Sequence, residues 1–312
     1  MKILFTGASS FTGFWFVKRL AEAGHEVHAT FRGSGPDAYA DVRCHRVREV
    51  LKYCRPIWAC PFGSETFLSS IVSEGTWDLL CHHAAEVRDY RSSDFNVTAA
   101  LETNTLNMRA ALILLQQRGL RAVLATGTSF EAGEGCGTAP LEAILPYGLS
   151  KTLTFQVTQF WCHELGLQLR KFVIPNPFGP FEEQRFTSYL AKTWLEGKPA
   201  HVKTPLYIRD NIHVSLLAAA YAVFATSLTS TPRRPTLHPS GYVESQGAFA
   251  TRFATAMRDR LGCDCTLVLE TQQVFTEPAV RINTDALDTA SFGWTESGAW
   301  DELAEFYLRT CR

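Results

Sequence analysis

The sequence lacks any excess or run of charge of one sign: 30 Lys and Arg face 31 Asp and Glu over 312 residues, a formal net charge of −1. With no global field and no local Lys/Arg run, neither a nucleic acid nor an anionic membrane surface is an expected partner. No uninterrupted apolar stretch reaches the roughly 18 residues that a membrane helix needs. Met1 leads straight into a short apolar run rather than a charged leader with a cleavage site, so a cytoplasmic protein is expected. Nine cysteines are present, at 44, 54, 60, 81, 136, 162, 263, 265 and 311, but there is no Cys-x-x-Cys and no Cys/His pairing at zinc spacing. A disulfide framework or zinc module is therefore not expected, and the thiols read as reduced and mostly buried. Cys263 and Cys265 are the one close pair, where a strained disulfide or half of a metal site stands as the alternative to free thiols. Internal repeats and low-complexity tracts are missing as well. What the chain does have is 46% hydrophobic and 20% charged residues, which suffices for one large core or a core plus a smaller lobe.

The first thirty residues alternate strand and helix. Lys2 to Thr6 is a short apolar run, Gly7 to Gly13 a glycine-bearing turn, and Phe14 to Ala23 has helical apolar spacing. Glu26 to Phe31 reads as a second strand, with Gly24 where a helix stop belongs and Gly33-Ser34-Gly35-Pro36 ending the strand. Further apolar strands follow at Trp77 to His82 and Ala122 to Thr126, separated by helix-length segments such as Ala99 to Arg118. Tyr147 to Leu165 reads as a long helix with Leu149, Leu153, Val157 and Phe160 on one stripe, and Leu169 to Ile174 as another buried strand. Strands alternating with helices imply a parallel sheet covered on both faces, an α/β doubly wound fold. After Pro175 the rhythm breaks and Pro and aromatic residues increase, up to a helical stretch at Ile212 to Ala225. A proline-rich linker, Thr231-Pro232-Arg233-Arg234-Pro235, leads to a final helix at about Ala299 to Arg309. The expected organisation is a dinucleotide-binding domain over 1–175, with a returning segment near 209–226, and a smaller mixed substrate-binding lobe over 176–312.

Two local patterns carry chemistry. A helix starting directly after a strand offers free N–H groups and a positive dipole end, and glycines let a diphosphate approach it. Thr6-Gly7-Ala8-Ser9-Ser10-Phe11-Thr12-Gly13 has that context. Ser10 holds the place where the dinucleotide pattern normally has a third glycine. Either its Cβ pushes the diphosphate away or its hydroxyl donates to a phosphate oxygen. The end of the second strand separates NAD from NADP, because a carboxylate there accepts from the adenosine 2′-hydroxyl while an Arg pairs with a 2′-phosphate. The chain reads His28-Ala29-Thr30-Phe31-Arg32, without a carboxylate, which favours NADP(H) over NAD(H); the other reading of Arg32 is a solvated surface arginine. The second pattern is Tyr147 and Lys151, four residues apart and thus one turn apart on one helix face. A phenol with an ordinary pKa near about 10 is a poor acid/base at neutral pH, and a fixed ammonium nearby lowers that value. Such a pair can move a proton at a substrate oxygen while hydride goes to or from a nicotinamide.

Taken with His82-His83-Ala84-Ala85, Thr126-Gly127-Thr128, Tyr147-Gly148-Leu149-Ser150-Lys151, Asn176-Pro177-Phe178-Gly179-Pro180, Arg209-Asp210-Asn211-Ile212-His213-Val214 and Phe292-Gly293-Trp294, the chain resembles the extended short-chain dehydrogenase/reductases. The resemblance is to the epimerase, dehydratase and reductase branch that acts on nucleotide-diphosphate sugars, and it covers essentially the whole chain. It implies Tyr147 as catalytic acid/base, Lys151 as the residue that binds the nicotinamide ribose and tunes the tyrosine, Thr128 as a hydrogen-bond partner of the reacting sugar oxygen, and Asn104 as the residue that orders the site. It places Gly7, Ser9, Ser10, Phe11, Thr12 and Gly13 on the cofactor diphosphate, with Arg32, Ala84, Ala85, Thr126 and Pro175 also lining the cofactor. Substrate contacts are implied for Thr128, Ser129 and Asn176, and Arg209 matches the arginine that contacts the substrate diphosphate. The alternative for Arg209 is a salt bridge to Asp210, and for Asn176 a capped turn among prolines.

Departures limit the reading. Dehydratases of this branch place an acidic residue within the two positions after the Thr, whereas here those positions are Ser129 and Phe130. Glu131 and Glu134 are offset, so 4,6-dehydration is disfavoured. The family's Arg-Pro-Gly-Asp stretch is missing and Thr276-Glu277-Pro278 stands around its place, which leaves Arg185 and Arg281 as candidates for a second arginine on the diphosphate. Cys60-Pro61-Phe62 lacks the aspartate that often touches adenine. His82 and His83 at a strand end point to opposite faces, cannot chelate one ion together, and read as structural; no metal is expected. The expected activity is hydride transfer at a ring carbon, carbon 4 by preference, of a nucleotide-diphosphate sugar. A 4-ketoreductase using NADPH is the first reading and an NAD-dependent 4-epimerase the second. A reductase of a non-sugar carbonyl is a further alternative, since Thr30-Phe31-Arg32 also resembles that branch, and a redox-sensing regulator without activity is disfavoured by the intact Tyr147, Lys151 and Thr128. By analogy with the family, the helix carrying Trp161, Phe155 and Phe160 is expected to pair with its twin in a homodimer.

Overall fold

The structure, a computed structural model, describes residues 1–137, 141–227 and 235–310. Most of the proline-rich linker at 231–235, and Cys311, lie outside the described residues. The strands are β1 Lys2–Thr6, β2 Glu26–Thr30, β3 Arg55–Ile57, β4 Leu79–His82, β5 Ala122–Thr128, β6 Cys136–Gly137, β7 Gln168–Ile174, β8 Asn176–Phe178, β9 Ala200–Val202, β10 Ile208–His213, β11 Thr236–Leu237, β12 Pro239–Ser240, β13 Tyr242–Ser245, β14 Leu267–Leu269, β15 Val280–Ile282 and β16 Asp285–Ala286. The helices are α1 Phe11–Glu22, α2 Asp41–Val50, α3 Glu65–Ser73, α4 Val97–Thr105, α5 Met108–Gln117, α6 Leu145–Glu164, α7 Phe186–Leu195, α8 Val214–Thr226, α9 Gln246–Leu261 and α10 Glu296–Thr310.

Two units divide the chain. The first comprises Met1–Glu134, Glu142–Ile174 and Tyr221–His238. Its seven-stranded sheet runs β11-β7-β5-β4-β1-β2-β3, and every pairing in it is parallel. Helices cover both faces, so the central strands read as near-continuous apolar runs: Ile3, Leu4, Phe5, Leu79, Cys81, Val123 and Leu124 are all fully buried. The strand order reverses between β1 and β4, the switch point at which open α/β sheets bind ligands beyond the strand C-termini. Thr6 ties the two strands together there, its Oγ1 accepting from the His83 and Ala84 N–H groups at 3.1 and 3.0 Å.

Two expectations for this unit change. The single helix at Ala99 to Arg118 is two helices, α4 and α5, broken at Leu106-Asn107. Asn107 takes a left-handed φ of 49°, a conformation asparagine tolerates, and its Nδ2 donates to the Gly63 carbonyl at 2.9 Å. A side chain at Gly63 would collide with the Leu106 carbonyl at 1.8 Å, so the two loops meet at a position only glycine permits. In α6 the buried face is small and polar rather than apolar: Gly148, Ser150, Lys151, Thr154, Thr158 and Cys162 point inward. Of the apolar stripe read from the sequence, Val157 packs on the core cluster around Trp77 and Leu112, while Leu149 and Phe160 are 43% and 55% exposed.

The second unit comprises Gly135–Leu141, Pro175–Ala220 and Pro239–Arg312. The chain re-enters the first unit at Tyr221, within α8, rather than near 209, so the strand carrying Arg209 counts with the second unit. A mixed five-stranded sheet holds β13, β10, β15 and β6 in order with β8 also paired to β10, and β12/β16 and β14/β9 form two short parallel pairs. Its core is aromatic, with Phe178, Trp194, Phe249, Phe253, Trp300 and Tyr307 from α7, α9, α10 and β8 packed together. Ser245 caps α9 through its Oγ, which accepts from Ala248 N–H, and Gly262 ends it in the left-handed conformation.

Glu182 is buried under this core, and its Oε1 accepts from the Thr187 and Tyr307 hydroxyls at 2.5 and 2.7 Å. Burial pushes its pKa up to about 7, against the pull of those two hydrogen bonds. The protonated form is therefore the one that fits, and its stabilisation is fully present below the ordinary carboxylate pKa and lost as pH rises through about 7. Each tenfold change in proton affinity is worth about 1.4 kcal/mol, so the loss amounts to about 3 kcal/mol. Glu182→Gln is expected to remove this pH dependence from thermal melts between pH 5 and 8; a slope unchanged by the substitution contradicts the assignment.

Among the described residues, no helix is long and apolar enough to cross a membrane. Eight cysteines are described: four are buried, three half-buried, and Cys136 is exposed. Cys263 and Cys265 are free thiols with sulfurs 3.8 Å apart.

Candidate active site

The turn between β1 and α1 is shaped by its own side chains. Ser10 is the N-cap of α1: its Oγ accepts from Gly13 N–H at 3.1 Å and donates to the Gly7 carbonyl at 2.9 Å. The hydroxyl is thus engaged within the turn, and the residue that replaces the usual glycine acts as a cap. Gly7 has φ 86°, and a Cβ there would lie 2.8 Å from Ala84 N, so the turn packs directly on the backbone after β4. A Cβ at Gly13 would meet the Gly7 carbonyl at 2.3 Å. His83 Nε2 stands 3.0 Å from Ser10 Oγ and 3.2 Å from Thr12 Oγ1, and its ring packs against Phe5 and Phe16. His82 lies against Phe62, with Nε2 3.2 Å from the Asn104 carbonyl. The adjacent histidines therefore have separate neighbours. Burial, reinforced by the Lys151 charge, lowers their pKa values to about 4 for His82 and about 3 for His83, so both rings are neutral at pH 7.

Arg32 follows β2, is 44% exposed, and pairs with Glu86 at 3.2 Å. Two further arginines reach the same turn from α2, and the sequence reading missed both. Arg43 Nη2 donates to Ser9 Oγ at 2.7 Å, and Arg46, 1% exposed, donates through Nε to the Ser9 carbonyl at 3.2 Å. Their three-residue spacing on the helix after β2 was the available signal, since it puts both on one face. Ser9 itself is buried beneath them.

The second cluster surrounds the C-terminal end of β5. Tyr147 lies in the first turn of α6, ringed by Tyr90, Phe95 and Phe130 at centroid distances of 5.5, 6.0 and 6.3 Å. Tyr90 and Phe95 were not singled out in the sequence, and Phe130 entered only as a non-acidic position after the Thr. Gly148 lets the helix sit on this turn, because a Cβ there would meet the Phe130 carbonyl at 2.2 Å. Lys151 is buried and donates to the Thr126 carbonyl at 2.8 Å. Burial lowers its pKa, and the Glu131 charge works against that shift. Asn104 joins the loop after β4 to α6: its Oδ1 accepts from Glu86 N–H at 2.8 Å and its Nδ2 donates to Thr154 Oγ1 at 3.2 Å. Ser129 is buried, and its hydroxyl has no hydrogen-bond partner among the described residues.

Behind Lys151 lies a small pocket lined by His82, Thr126, Gly127, Glu131, Thr154, Phe155 and Thr158. Glu131 closes it. One of its oxygens accepts from Thr128 N–H at 2.9 Å and the other lies 2.6 Å from Lys171 Nζ. Lys171 also meets Glu134 at 2.7 Å, and Glu134 meets His238 Nε2 at 2.7 Å. Glu131, Glu134 and Lys171 are almost entirely buried. The two carboxylates that the dehydratase comparison brought up are therefore committed to a buried ion-pair chain that holds the backbone of Thr128. Gly127 leaves room for it, since a Cβ there would press on Lys171 Cε at 2.6 Å.

The first unit contains the turn residues Gly7 to Gly13, Arg32, Ala84, Ala85, Asn104, Thr126, Thr128, Ser129, Tyr147 and Lys151. Pro175, Asn176, Arg185, Arg209 and Arg281 belong to the second unit. Asn176 lies on β8 beside Asn211 of β10, and the Nδ2 of each is buried without a hydrogen-bond partner among the described residues. Arg185 begins α7, its N–H donating to Ser188 Oγ at 2.8 Å. Arg209 does not pair with Asp210, whose oxygens accept from the Gly241 and Asn283 N–H groups at 2.8 and 3.1 Å. Its partner is Glu277, at 3.1 Å.

The residues present fit a dinucleotide: a capped helix N-terminus at the switch point of a parallel sheet, a glycine turn, and a buried lysine at the end of β5. Among the described residues, no three His, Cys, Asp or Glu side chains converge as a metal site requires.

Comparison with known proteins agrees with this fold. The model of the NAD dependent epimerase/dehydratase family matches residues 3–238. Similar solved structures include a UDP-glucose 4-epimerase from Thermotoga maritima with UDP-glucose (18% identity, 100% of both chains covered, TM-score 0.72). A UDP-glucuronic acid 4-epimerase from Bacillus cereus in complex with UDP-glucuronic acid and NAD is 17% identical over 99% of each chain, with a TM-score of 0.72. A Thermus thermophilus UDP-glucose 4-epimerase in complex with NAD is 18% identical, covering 99% of this chain and 100% of its own, with a TM-score of 0.70. At these identities the likeness shows the shared fold.

Proposed function

Since the chain belongs to the NAD-dependent epimerase/dehydratase family, we propose that it transfers hydride at carbon 4 of a nucleotide-diphosphate sugar, as a 4-ketoreductase with exchangeable NADP(H). The observation that carries this reading is the cluster at the end of β5, where Tyr147, the buried Lys151 ammonium and Thr128 are gathered. The nicotinamide, when bound, supplies the hydride. Tyr147 holds the proton that the C4 oxygen takes up as it becomes an alkoxide, and the Thr128 hydroxyl orients that oxygen. Lys151 stabilises the phenolate that remains, and its own charge is kept by the Thr126 carbonyl and by Glu131. The rings of Tyr90, Phe95 and Phe130 pack around the Tyr147 ring and fix its position. Similar structures bind UDP-glucose or UDP-glucuronic acid, which supports a UDP-sugar as substrate.

NADP(H) is preferred because β2 ends without a carboxylate and two cations, Arg32 and Arg43, stand near that end of the turn. Arg32→Ala is expected to weaken NADPH binding by about tenfold or more, the loss of one charge-assisted contact, and to leave NADH binding unchanged. Equal loss for both cofactors, measured by titration calorimetry, contradicts the assignment. The second reading, an NAD-dependent 4-epimerase, is favoured by the 4-epimerases among the similar structures, those from Bacillus cereus and Thermus thermophilus holding NAD. A homodimer through α6 is part of the proposal, and the exposed Leu149 and Phe160 on that helix support it.

A further inference from the structure

Strands β10 and β15 run parallel in a register that sets Arg209 directly beside Arg281. Both are nearly sealed from solvent, at 4% and 5% exposure. One carboxylate serves them both: Glu277 Oε2 lies 3.1 Å from Arg209 Nη2 and 3.8 Å from Arg281 Nη1. Two guanidiniums sharing one anion is the arrangement that a phosphate group would make with the same pair. Glu277 stands in the stretch Thr276-Glu277-Pro278, four residues before Arg281.

The surroundings separate the Glu277 side chain from its backbone. The Thr276 and Glu277 N–H groups donate to the Tyr207 hydroxyl at 2.8 and 3.2 Å. The carbonyls of Pro278 and Ala279 accept from Arg209 Nη1 at 3.0 and 3.3 Å. The Arg209 guanidinium lies 4.2 Å over the Tyr207 ring. The segment and the arginine are therefore held without the carboxylate. The Glu277 side chain is 37% exposed and can turn into solvent with no backbone movement.

We propose that Glu277 is an intramolecular anion seated in the diphosphate subsite, competing with the nucleotide for Arg209 and Arg281 and leaving by side-chain rotation when the nucleotide binds. The proposal rests on the reading that the substrate carries a diphosphate. It makes Glu277 a specificity-determining residue: an anion must displace a carboxylate already paired, so nucleotide binding is weakened and release of a nucleotide product hastened.

The test is titration of the full-length protein with UDP by calorimetry, comparing wild type, Glu277→Gln, Glu277→Ala and the control Glu270→Gln, which removes an exposed carboxylate from the same segment. Glu277→Gln and Glu277→Ala are expected to bind UDP about tenfold more tightly than wild type, with Glu270→Gln unchanged. Equal affinity for wild type and both Glu277 variants overturns the proposal while leaving the diphosphate reading in place. Weaker binding in both variants overturns it too, since Glu277 would then be holding the arginines in position for the ligand. UDP binding to none of the four proteins overturns the diphosphate reading and the proposal with it.

Discussion

Tyr147→Phe is expected to lower turnover by about 10² to 10⁴-fold, the usual worth of a positioned general acid/base, with the affinity for NADPH unchanged. The substitution removes only the hydroxyl. The ring keeps its place among Tyr90, Phe95 and Phe130, and Gly148 still seats the first turn of α6 on the Phe130 carbonyl. Lys151 keeps its contact with the Thr126 carbonyl, so the part of the site assigned to the cofactor stays formed. Single-turnover measurement of NADPH oxidation with a UDP-4-keto sugar checks the outcome. Turnover within twofold of wild type would remove Tyr147 from the chemistry.

Lys171→Met is expected to have the largest effect on stability, about 3 to 5 kcal/mol, as for other buried charge pairs that lose one partner. Lys171 is 7% exposed and pairs with two carboxylates, Glu131 and Glu134, that are 1% and 11% exposed. Without it, both carboxylates stay in the interior, Glu134 beside His238 and Glu131 accepting from Thr128 N–H, with no ammonium between them. The melting temperature should fall by roughly 10 °C. Adding Glu131→Gln should recover part of the loss, because the double variant no longer buries that charge unpaired. Turnover should fall in Glu131→Gln alone even where the protein remains folded. Glu131 both anchors Thr128 N–H and opposes the desolvation of Lys151. Denaturant titration of the two single variants and the double variant provides the cycle, and additive losses would show that Glu131 and Lys171 do not act as a pair.

The parts of the fold and site that the sequence made legible are those encoded locally. β1, the turn and α1 follow one another within 22 residues, and the apolar runs of β4, β5 and β7 mark a parallel sheet because both of its faces are covered. Tyr147 and Lys151 share a helix, so their spacing alone put them on one face. What stayed hidden depends on contacts between distant residues. Lys171 meets Glu134 across 37 positions, and Glu134 meets His238 across 104. The break between α4 and α5 arises from Asn107 reaching Gly63, 44 residues earlier. The face of α6 was misread for another reason: the helix buries small and hydroxylated side chains, and apolar periodicity cannot report a buried face made of Gly, Ser, Thr and Lys. The alternative of an Arg209–Asp210 salt bridge fails, because β10 hands the aspartate to the Gly241 and Asn283 N–H groups and the arginine to Glu277. Successive strand residues point to opposite faces, so sequence neighbours there are poor candidates for an ion pair.

The most direct test of the account is to unfold the purified protein and identify any released dinucleotide by absorbance and mass. A ketoreductase that exchanges NADP(H) each turnover is expected to release less than one dinucleotide per chain, with NADP(H) as whatever is retained. One equivalent of NAD per chain would contradict that reading and leave a 4-epimerase that returns the hydride to its own substrate.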